Sequence, residues 1–414
     1  MDEDNSDLSD EECWYCGNSE RGKDWGLLPD VCLRHIFWCL PDCDRINADM
    51  VCRHWHSVMR SPSLWRCRFF HFSGRLSKFR QSEYCCAVTY ARYLGVYLER
   101  LEVCVSPPRR SLTGQRLQQT ISGLFSELTR VRAPLRSLSL VRLDLDRPAW
   151  TLVLRNSLVN SVIDFLCKGS SKLTSVCLNG MRINIQQGLE LLSALSQAQR
   201  HSYICSLDLV GFFSSGLVYS NSTIPSLLCH FHGLTNLSLS YSCLSDELLM
   251  ALCPSPLQNF SLYCQLNESH QQVLCGESWA ALASSCPDLK VKLTVDQVIN
   301  TDRLARILQR QIPLIEYCMT AFYSPDEDWS AKTVLCHLLP QYRRSLQYLA
   351  LDLSNCNESL DEELLGLAKV CERLEQLRIW AFLEIGTVKE LLNIRLRQRS
   401  LLNKIRVRKT NITG

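Results

Sequence analysis

The stretch "LTNLSL", residues Leu234 to Leu239, places leucines at its first, fourth and sixth positions. Such a pattern predicts a short strand with one buried face, because side chains alternate along a strand. Related segments follow one another at intervals of roughly 23 to 40 residues. They are "LERLEV" at Leu98, "LRSLSL" at Leu135, "LTSVCL" at Leu173, "ICSLDL" at Ile204, "LQNFSL" at Leu257, "LIEYCM" at Leu314, "LQYLAL" at Leu346, "LEQLRI" at Leu374 and "LNKIRV" at Leu402, with "LKVKLTV" at Leu289 as a distorted member.

Helical segments follow at least two of these strands. They are "SDELLMALC" after Leu234 and "LDEELLGLAKVC" after Leu346, each with acidic residues in the first turn, where the helix dipole favours them. Neither a single strand nor a single helix can bury its apolar side, so the units must stack on one another. The fold class predicted for residues 97–414 is therefore α/β: an irregular solenoid with a curved parallel sheet and outer helices.

Two further segments, "LASSCPDL" and "VCERLEQL", carry a resemblance to the cysteine-containing class of leucine-rich repeat. The resemblance implies that many of the 23 cysteines are small buried apolar residues. The odd number of cysteines prevents complete internal disulfide pairing. The N-terminal sequence also lacks the pattern of a signal peptide, so we expect a reducing cytoplasmic or nuclear location.

Composition argues against several classes of partner. Apolar residues make up 46% and charged residues 21%, as in folded soluble proteins, and the formal net charge of +3 does not indicate nucleic acid or an anionic membrane. The longest uncharged stretch, residues 209–245, contains too many polar residues for a bilayer span. We expect neither nucleic acid nor membrane as a partner.

Residues 1–24 are predicted to form a disordered acidic tail. The tail contains Cys13-Trp-Tyr-Cys16, which could supply half of a zinc site. A structural zinc site needs four ligands, and the chain has no second CxxC and no suitably spaced histidine pair. We therefore predict no metal and no other cofactor, with zinc as a minor alternative.

Residues 25–70 have a compact helical pattern. Leu33, Ile36, Phe37 and Leu40 form one apolar stripe of a first helix, which Pro41 ends. A second helix is predicted from Arg45 to Met59. Ser61-Pro62 then begins a short third helix that carries Leu64 and Trp65, with serine favoured as the N-cap and proline at the first helical position. A linker helix is predicted within residues 71–96.

The segment "LLPDVCLRHIFWCLPDCDRINADMVCRHWHSVMRSPSLWR" resembles an F-box. The motif consists of Leu-Pro, an apolar helix, Val-Cys-Arg-x-Trp and a final Leu-Trp, and Asp44 to Asn47 depart from it where leucine is more common. The resemblance implies binding to a Skp-type adaptor and, through it, to cullin and RING subunits. The predicted adaptor-binding residues are Leu28, Pro29, Leu33, Ile36, Phe37, Leu40, Val51, Trp55, Leu64 and Trp65. For Trp55 and Trp65, core packing and partner contact remain alternative interpretations.

No catalytic chemistry is predicted. The chain has no RING spacing, no glycine-rich phosphate loop, no GxSxG and no HExxH. His35, His54, His56 and His71 are interpreted as hydrogen-bonded or solvated side chains. The leading hypothesis is the substrate-recognition subunit of an SCF-type cullin-RING ubiquitin ligase, and the second is a leucine-rich-repeat scaffold without ligase recruitment. An enzyme is a distant third.

The substrate is expected on the strand face, where the residues that flank the central leucines point outward. In the middle repeats most of these residues are small and uncharged, whereas the C-terminal repeats are basic. Arg378, Trp380, Lys404 and Arg406 are therefore predicted to bind an acidic segment. A solvated basic end cap is the alternative.

Overall fold

The computed structural model describes residues 25–73, 81–169, 172–198, 203–214, 218–266, 268, 270–298, 300–322, 329–355, 358–397 and 404–408. The predicted acidic tail, with Cys13 and Cys16, lies outside these residues. The chain divides into two compact units, Met1–Arg66 and Cys67–Gly414. The first is called the helical unit below, and the second the repeat unit.

Within its described residues, 25–66, the helical unit contains three short α-helices between two single 3-10 turns. The turns span Trp25–Leu27 and Pro62–Leu64, and the helices are α1 (Asp30–Trp38), α2 (Asp42–Asp49) and α3 (Arg53–Met59). Pro62 occupies the first position of its turn, as predicted. The predicted single helix from Arg45 to Met59 is wrong, because Cys52 adopts an extended conformation (φ −157°) and its sulfur accepts a hydrogen bond from the Trp55 amide at 3.4 Å. Cys52 thereby caps α3, and α2 has already ended at Asp49.

In the part of the repeat unit that the structure describes, one sheet holds 12 strands in sequential order, and each strand is parallel to its neighbours. Its strands are β1 (Cys67–Phe72), β2 (Arg100–Val105), β3 (Ser137–Val141), β4 (Ser175–Cys177), β5 (Ser206–Leu209), β6 (Asn236–Ser240), β7 (Asn259–Gln265), β8 (Lys290–Asp296), β9 (Leu314–Phe322), β10 (Tyr348–Ser354), β11 (Gln376–Trp380) and β12 (Lys404–Arg408). Every leucine-pattern segment of the sequence overlaps one of the strands β2 to β12. The predicted α/β repeat solenoid with a parallel sheet is confirmed.

Helices return the chain between most strands. They are α4 (Gln81–Leu94), α5 (Ser111–Arg130), α6 (Leu152–Gly169), α7 (Ile185–Ala198), α8 (Thr223–Leu228), α9 (Asp246–Leu252), α10 (Gly276–Ser285), α11 (Thr301–Ile307), α12 (Asp361–Val370) and α13 (Ile385–Arg397). Successive helices from α4 to α10 contact one another. Leucines of the strand pattern such as Leu138, Leu237 and Leu349 are buried and form the core between sheet and helices.

The first strand lies in a region that the sequence did not assign to the sheet. β1 pairs with β2. Helix α4 lies within the predicted linker of residues 71–96 and contacts α5 of the repeat unit. The ring of Phe70 contacts that of Tyr90, with centroids 5.8 Å apart. The boundary between the two units thus follows Arg66, and the segment expected to be a linker is part of the repeat unit.

The distorted motif at Leu289 shifts the register of the sheet. Val291 pairs with Leu314, and the next residue, Lys292, pairs with Glu316. Val291, Leu293 and Val295 are buried, so Lys292 points to the opposite face. The shift lets strand β8 keep its apolar face inward although a lysine stands where the pattern expects the central leucine.

The cysteines only partly follow the expectation. Among the described residues Cys243, Cys264, Cys286 and Cys371 are buried, but more of the described cysteines are exposed, including Cys32, Cys39, Cys52, Cys85 and Cys275. The described part of the chain holds no group of three or more His, Cys, Asp or Glu side chains suited to a metal ion. None of its helices combines the length and apolar character that a bilayer crossing requires.

Candidate functional site

The helical unit has a small core. Six side chains are almost completely buried: Leu33, Phe37, Ala48, Val58, Met59 and Leu64. Leu28, Leu40, Trp55 and Trp65 pack against them and remain partly exposed. A unit of this size cannot cover all of its apolar surface with its own residues.

Seven large apolar side chains of the same unit are exposed: Trp25, Leu27, Val31, Ile36, Trp38, Met50 and Val51. We call them the exposed apolar set. Leu27 is 80% exposed, Met50 73% and Val51 61%. Val31 and Trp38 lie seven residues apart on α1 and therefore share one side of the helix. Single exposed apolar residues are ordinary, but this many in so short a unit indicate a surface for another protein.

The predicted adaptor-binding residues fall into three groups. Leu33, Phe37 and Leu64 are buried, so they shape the helical unit from within and offer no surface to a partner. Leu28, Leu40, Trp55 and Trp65 are half-buried against the core. Pro29, Ile36 and Val51 are exposed. Five exposed residues were not predicted from the sequence: Trp25, Leu27, Val31, Trp38 and Met50. The spacing of Val31 and Trp38 on a predicted helix was a usable signal.

Trp55 and Trp65 are both anchored inside the helical unit. The ring of Trp55 meets that of Phe37 edge-on, with centroids 5.2 Å apart, and its Nε1 donates to the Trp25 carbonyl at 3.3 Å. The Nε1 of Trp65 donates to the Met59 carbonyl at 2.8 Å. Most of each ring therefore packs against the core of the helical unit, and only its exposed part is available for contact with a partner.

Arg45 fastens the three-helix arrangement. Its guanidinium donates to the carbonyls of Phe37 at 2.9 Å, Trp38 at 2.9 Å and Leu64 at 3.0 Å. The first two carbonyls lie at the end of α1, where a positive charge is favourable. Arg45 belongs to the segment Asp44 to Asn47, which departs from the F-box pattern. At this position hydrogen bonds from an arginine to three backbone carbonyls replace the apolar contact that a leucine would make.

The histidines of this region make local polar contacts. His54 Nε2 lies 2.8 Å from Asp30 Oδ1, and His56 Nδ1 lies 3.0 Å from Asp49 Oδ1. His35 Nδ1 lies 3.1 Å from the Val31 carbonyl oxygen. Such exposed contacts connect neighbouring segments and suit the interpretation of these histidines as hydrogen-bonded surface residues.

The second candidate surface is the strand face of the repeat unit that points away from the helices. Strand pairing aligns one outward row across it: Glu102, Ser139, Cys177, Asp208, Ser238, Ser261, Lys292, Glu316, Tyr348 and Gln376. The middle of this row is small and polar. Asp208 is the one charged residue of this middle part, and the row continues with Lys292, whose Nζ lies 2.9 Å from Glu316 Oε2.

The predicted basic site lies at the C-terminal end of this face. Arg378 and Trp380 are exposed on β11, and the backbone pairs Arg378 with Arg406 and Gln376 with Lys404. The side chains of Lys404 and Arg406 lie outside the described residues. On β9, which is separated from β11 by β10, burial raises the pKa of the Cys318 thiol to about 11, and the Glu316 charge adds to this effect while Arg378 and Lys292 oppose it.

The family comparison identifies one domain. An F-box-like domain matches residues 25–71, which span the helical unit and most of β1. The chain is also homologous to F-box/LRR-repeat proteins. It is 25% identical to F-box/LRR-repeat protein 21 of Ovis aries over 275 residues, which cover 65% of this chain and 59% of that protein. Against F-box/LRR-repeat protein 8 of Bos taurus, it is 24% identical over 351 residues, which cover 84% of this chain and 87% of that protein.

The match to F-box/LRR-repeat protein 21 thus spans less than two thirds of that relative's length. Among solved structures, a chain of the crystal structure of the Rad7 and Elc1 complex in yeast is similar, with a TM-score of 0.42 and 14% identity. That similarity covers 91% of this chain and 92% of the other.

Proposed function

We propose that this chain, with its F-box-like domain and its homology to F-box/LRR-repeat proteins, is the substrate-recognition subunit of an SCF-type cullin-RING ubiquitin ligase. The helical unit binds a Skp-type adaptor, which connects it to cullin and RING subunits. The outward strand face of the repeat unit binds the protein substrate. The proposal places the protein in the cytoplasm, the nucleus or both, and gives it no catalytic residue.

The observation that carries this proposal is the exposed apolar set within the region that matches an F-box-like domain. A specific protein interface buries at least about 1,000 Å² in total, and a few aromatic and aliphatic anchors supply most of its energy. Trp25, Leu27, Val31, Trp38 and Met50 are large enough for this role and are not needed for the buried core. The same surface includes three exposed residues that the sequence predicted as adaptor contacts, namely Pro29, Ile36 and Val51.

We assign the half-buried Leu28, Leu40, Trp55 and Trp65 a mixed role. Their inner atoms complete the core of the helical unit, and their outer atoms contribute to the adaptor contact. Leu33, Phe37 and Leu64 act indirectly, since they hold the helices in the arrangement that presents the exposed apolar set.

On the substrate side, we propose that the basic end of the strand face binds an acidic segment. Arg378 and Trp380 provide a guanidinium and an aromatic ring that are both accessible. Lys404 and Arg406 are next to them along the paired strands. A guanidinium makes charge-assisted hydrogen bonds with carboxylates, so this end suits acidic side chains.

The function is positioning. A substrate lysine held beside an activated ubiquitin thioester reacts as if it were part of the same molecule, which raises its effective concentration. The receptor contributes no reacting group in this scheme. Rigidity and selectivity of its two surfaces are sufficient.

Four segments of the repeat unit also resemble F-box only protein 39, and we propose that the chain is related to it. They are "SDELL" at Ser245, "TDRLARIL" at Thr301, "SLDEELL" at Ser359 and "IWAFLEIG" at Ile379.

The test is binding of the full chain to a purified Skp-type adaptor. We expect Val31→Ala/Trp38→Ala to weaken binding roughly 30-fold or more, because truncation of a central aromatic anchor commonly costs ~2 kcal/mol. The matched control is Leu152→Ala/Val153→Ala, which truncates two residues of the repeat unit that are 66% and 75% exposed. Leu28→Ala/Pro29→Ala tests the half-buried edge of the same surface.

The control pair should bind like the wild type. If the wild type and all three variants showed the same negligible binding, the alternative of a leucine-rich-repeat scaffold without ligase recruitment would be favoured. Thermal melting of each variant checks that the helical unit is intact, since Val31 and Trp38 lie outside its core.

A further inference from the structure

The outward strand face contains a hollow at the carboxyl ends of its middle strands. Its volume is about 490 Å³, within the range of sites that hold a ligand. We call it the strand-end hollow. Its lining includes Asp144, Gly180, Arg182, Asp208, Ser238 and Tyr263.

Small residues create this hollow. Ser238 and Ser261 face outward side by side on β6 and β7, and longer side chains such as Tyr263 and Arg182 stand around them. Gly180 and Gly211 follow β4 and β5 with φ angles of 68° and 62°, a conformation that favours glycine. A Cβ atom at Gly180 would lie 3.3 Å from the Arg142 Cα, so a side chain is unfavourable there for steric reasons as well.

Asp208 is the charged group of the floor. Its Oδ2 accepts hydrogen bonds from Cys177 Sγ at 3.5 Å and from Asn179 Nδ2 at 3.3 Å, and its Oδ1 accepts from the Val210 amide at 3.0 Å. All three donors are neutral, and no cation pairs with this carboxylate within the described part of the chain. The half-buried negative charge of Asp208 is thus fixed in direction and not neutralised.

The other charges around the hollow are already engaged. Arg182 Nε lies 2.8 Å from Asp146 Oδ2, and Arg147 Nε lies 3.0 Å from Asp144 Oδ2. At the far wall, the Tyr263 hydroxyl donates to Asp296 Oδ2 at 3.4 Å, and burial together with the Asp296 charge raises the pKa of Tyr263. The lining thus offers hydroxyl and amide groups together with one carboxylate that lacks a counter-ion.

We infer that the strand-end hollow binds an extended peptide segment in which one lysine or arginine is flanked by small residues. The inference rests on the proposed function, since the segment would belong to the substrate. The basic side chain pairs with Asp208, and the serine hydroxyls bond to the backbone of the segment. Small flanking residues are required because Tyr263 and Arg182 limit the width. This site differs from the basic end of the same face, which suits acidic side chains.

The experiment uses the full chain and immobilised peptide libraries as the probe. In the first library a central lysine is flanked on each side by three positions of Gly, Ala or Ser. The second and third libraries replace the lysine with norleucine and with glutamate. We expect the lysine library to retain the wild-type chain about tenfold more strongly than the other two, as for one charge-assisted hydrogen bond.

Two variants should abolish this preference. Asp208→Asn removes the charge at constant shape, and Ser238→Lys places the protein's own cation in the hollow while Asp208 stays in place. The matched control is Asp352→Asn, which removes another half-buried outward aspartate on β10, outside the hollow. It should keep the wild-type preference.

Equal retention of the three libraries, or absence of retention of any, would overturn the inference. An equal loss in Asp352→Asn and Asp208→Asn would do the same, because the effect would then be general electrostatics. Adaptor binding is measured on the same samples. If the wild-type chain did not bind the adaptor, the proposed function would be refuted. The preference for the lysine library could still be measured in that case.

Discussion

In the helical unit six side chains form the buried core while seven large apolar side chains are exposed. The repeat unit buries long rows of leucines, and the middle of its outward strand face consists of serines, asparagines and an aspartate. Each repeat covers the apolar side of its neighbour, whereas the helical unit is too small to cover its own. The helical unit therefore leaves an apolar surface exposed, whereas the repeat unit presents polar groups on a scaffold whose apolar side is already covered.

Truncation of a core residue tests this difference most strongly. Phe37→Ala should destabilise the helical unit by about 3–5 kcal/mol, because it removes a fully buried ring from a very small core. Such a loss approaches the whole stability of a small domain. We expect peptides of residues 25–66 to lose hydrogen-exchange protection, measured by mass spectrometry, and adaptor binding to disappear.

The matched control is Phe260→Ala, which removes an equally buried ring from β7. Its neighbours β6 and β8 keep their own paired strands and helices, so we expect weakened but persistent protection near β7. Wild-type protection of residues 25–66 in Phe37→Ala would contradict the idea that the helical unit depends on its six-residue core.

The second prediction compares the alkylation rates of half-buried thiols in the repeat unit with that of an exposed thiol in the helical unit. Burial raises the pKa of Cys177 from 9.0 to about 11, with the Asp208 charge adding to the effect, and Cys318 is raised to the same extent. At pH 8 these thiols should therefore be alkylated by iodoacetamide roughly 100-fold more slowly than thiols with ordinary pKa values. Their rates should increase about tenfold per pH unit up to pH 11, because the thiolate is the reactive form.

The exposed Cys39 of the helical unit serves as the reference, with mass spectrometry resolving each site. Asp208→Asn should accelerate Cys177 and leave Cys318 unchanged, because only Cys177 contacts Asp208. Equal rates at Cys177 and Cys39 would show that Cys177 is not held in a buried, negatively charged environment.

Much of the repeat unit could be predicted from the sequence, because each strand repeats the same local pattern. β1 was missed because it does not follow the leucine pattern: Phe70 pairs with Val103, and Arg68 pairs with Leu101 on the inward side. The guanidinium of Arg68 lies 4.9 Å from the Phe70 ring centroid and 4.8 Å from that of Tyr90, and burial lowers its pKa. No sequence period indicates an arginine that is accommodated by aromatic rings.

The helical unit was predicted less completely, because its contacts are tertiary. An apolar stripe identified Leu33 and Phe37, yet the same stripe could not separate core residues from the exposed Ile36. The three carbonyls that Arg45 binds come from two separate segments. Such a clamp depends on the packing of the helices and leaves no signal in the spacing of residues.

Arg45 provides the third prediction. Arg45→Met should lower the free energy of unfolding of the helical unit by about 2 kcal/mol, because three carbonyls lose a charged donor while the aliphatic part of the side chain is retained. The decrease is measured as a shift in the loss of exchange protection of residues 25–66 with urea. Arg53→Met, at an exposed position of α3, is the matched control and should change little. Equal shifts in both variants would contradict the clamp.

The smallest expected effects concern the replacement of two glycines of the repeat unit by alanine. Gly180 has a φ angle of 68° beside the Arg142 backbone, whereas Gly366 lies in α12, where an added Cβ would meet nothing within 4 Å. Gly180→Ala should destabilise the repeat unit by about 1 kcal/mol or more, and Gly366→Ala should stabilise it by about 0.5–1 kcal/mol. Urea unfolding followed by circular dichroism measures both midpoints. Changes of opposite sign are the expected result. Two changes of the same sign would mean that the turn after β4, which borders the strand-end hollow, does not require the left-handed conformation of Gly180.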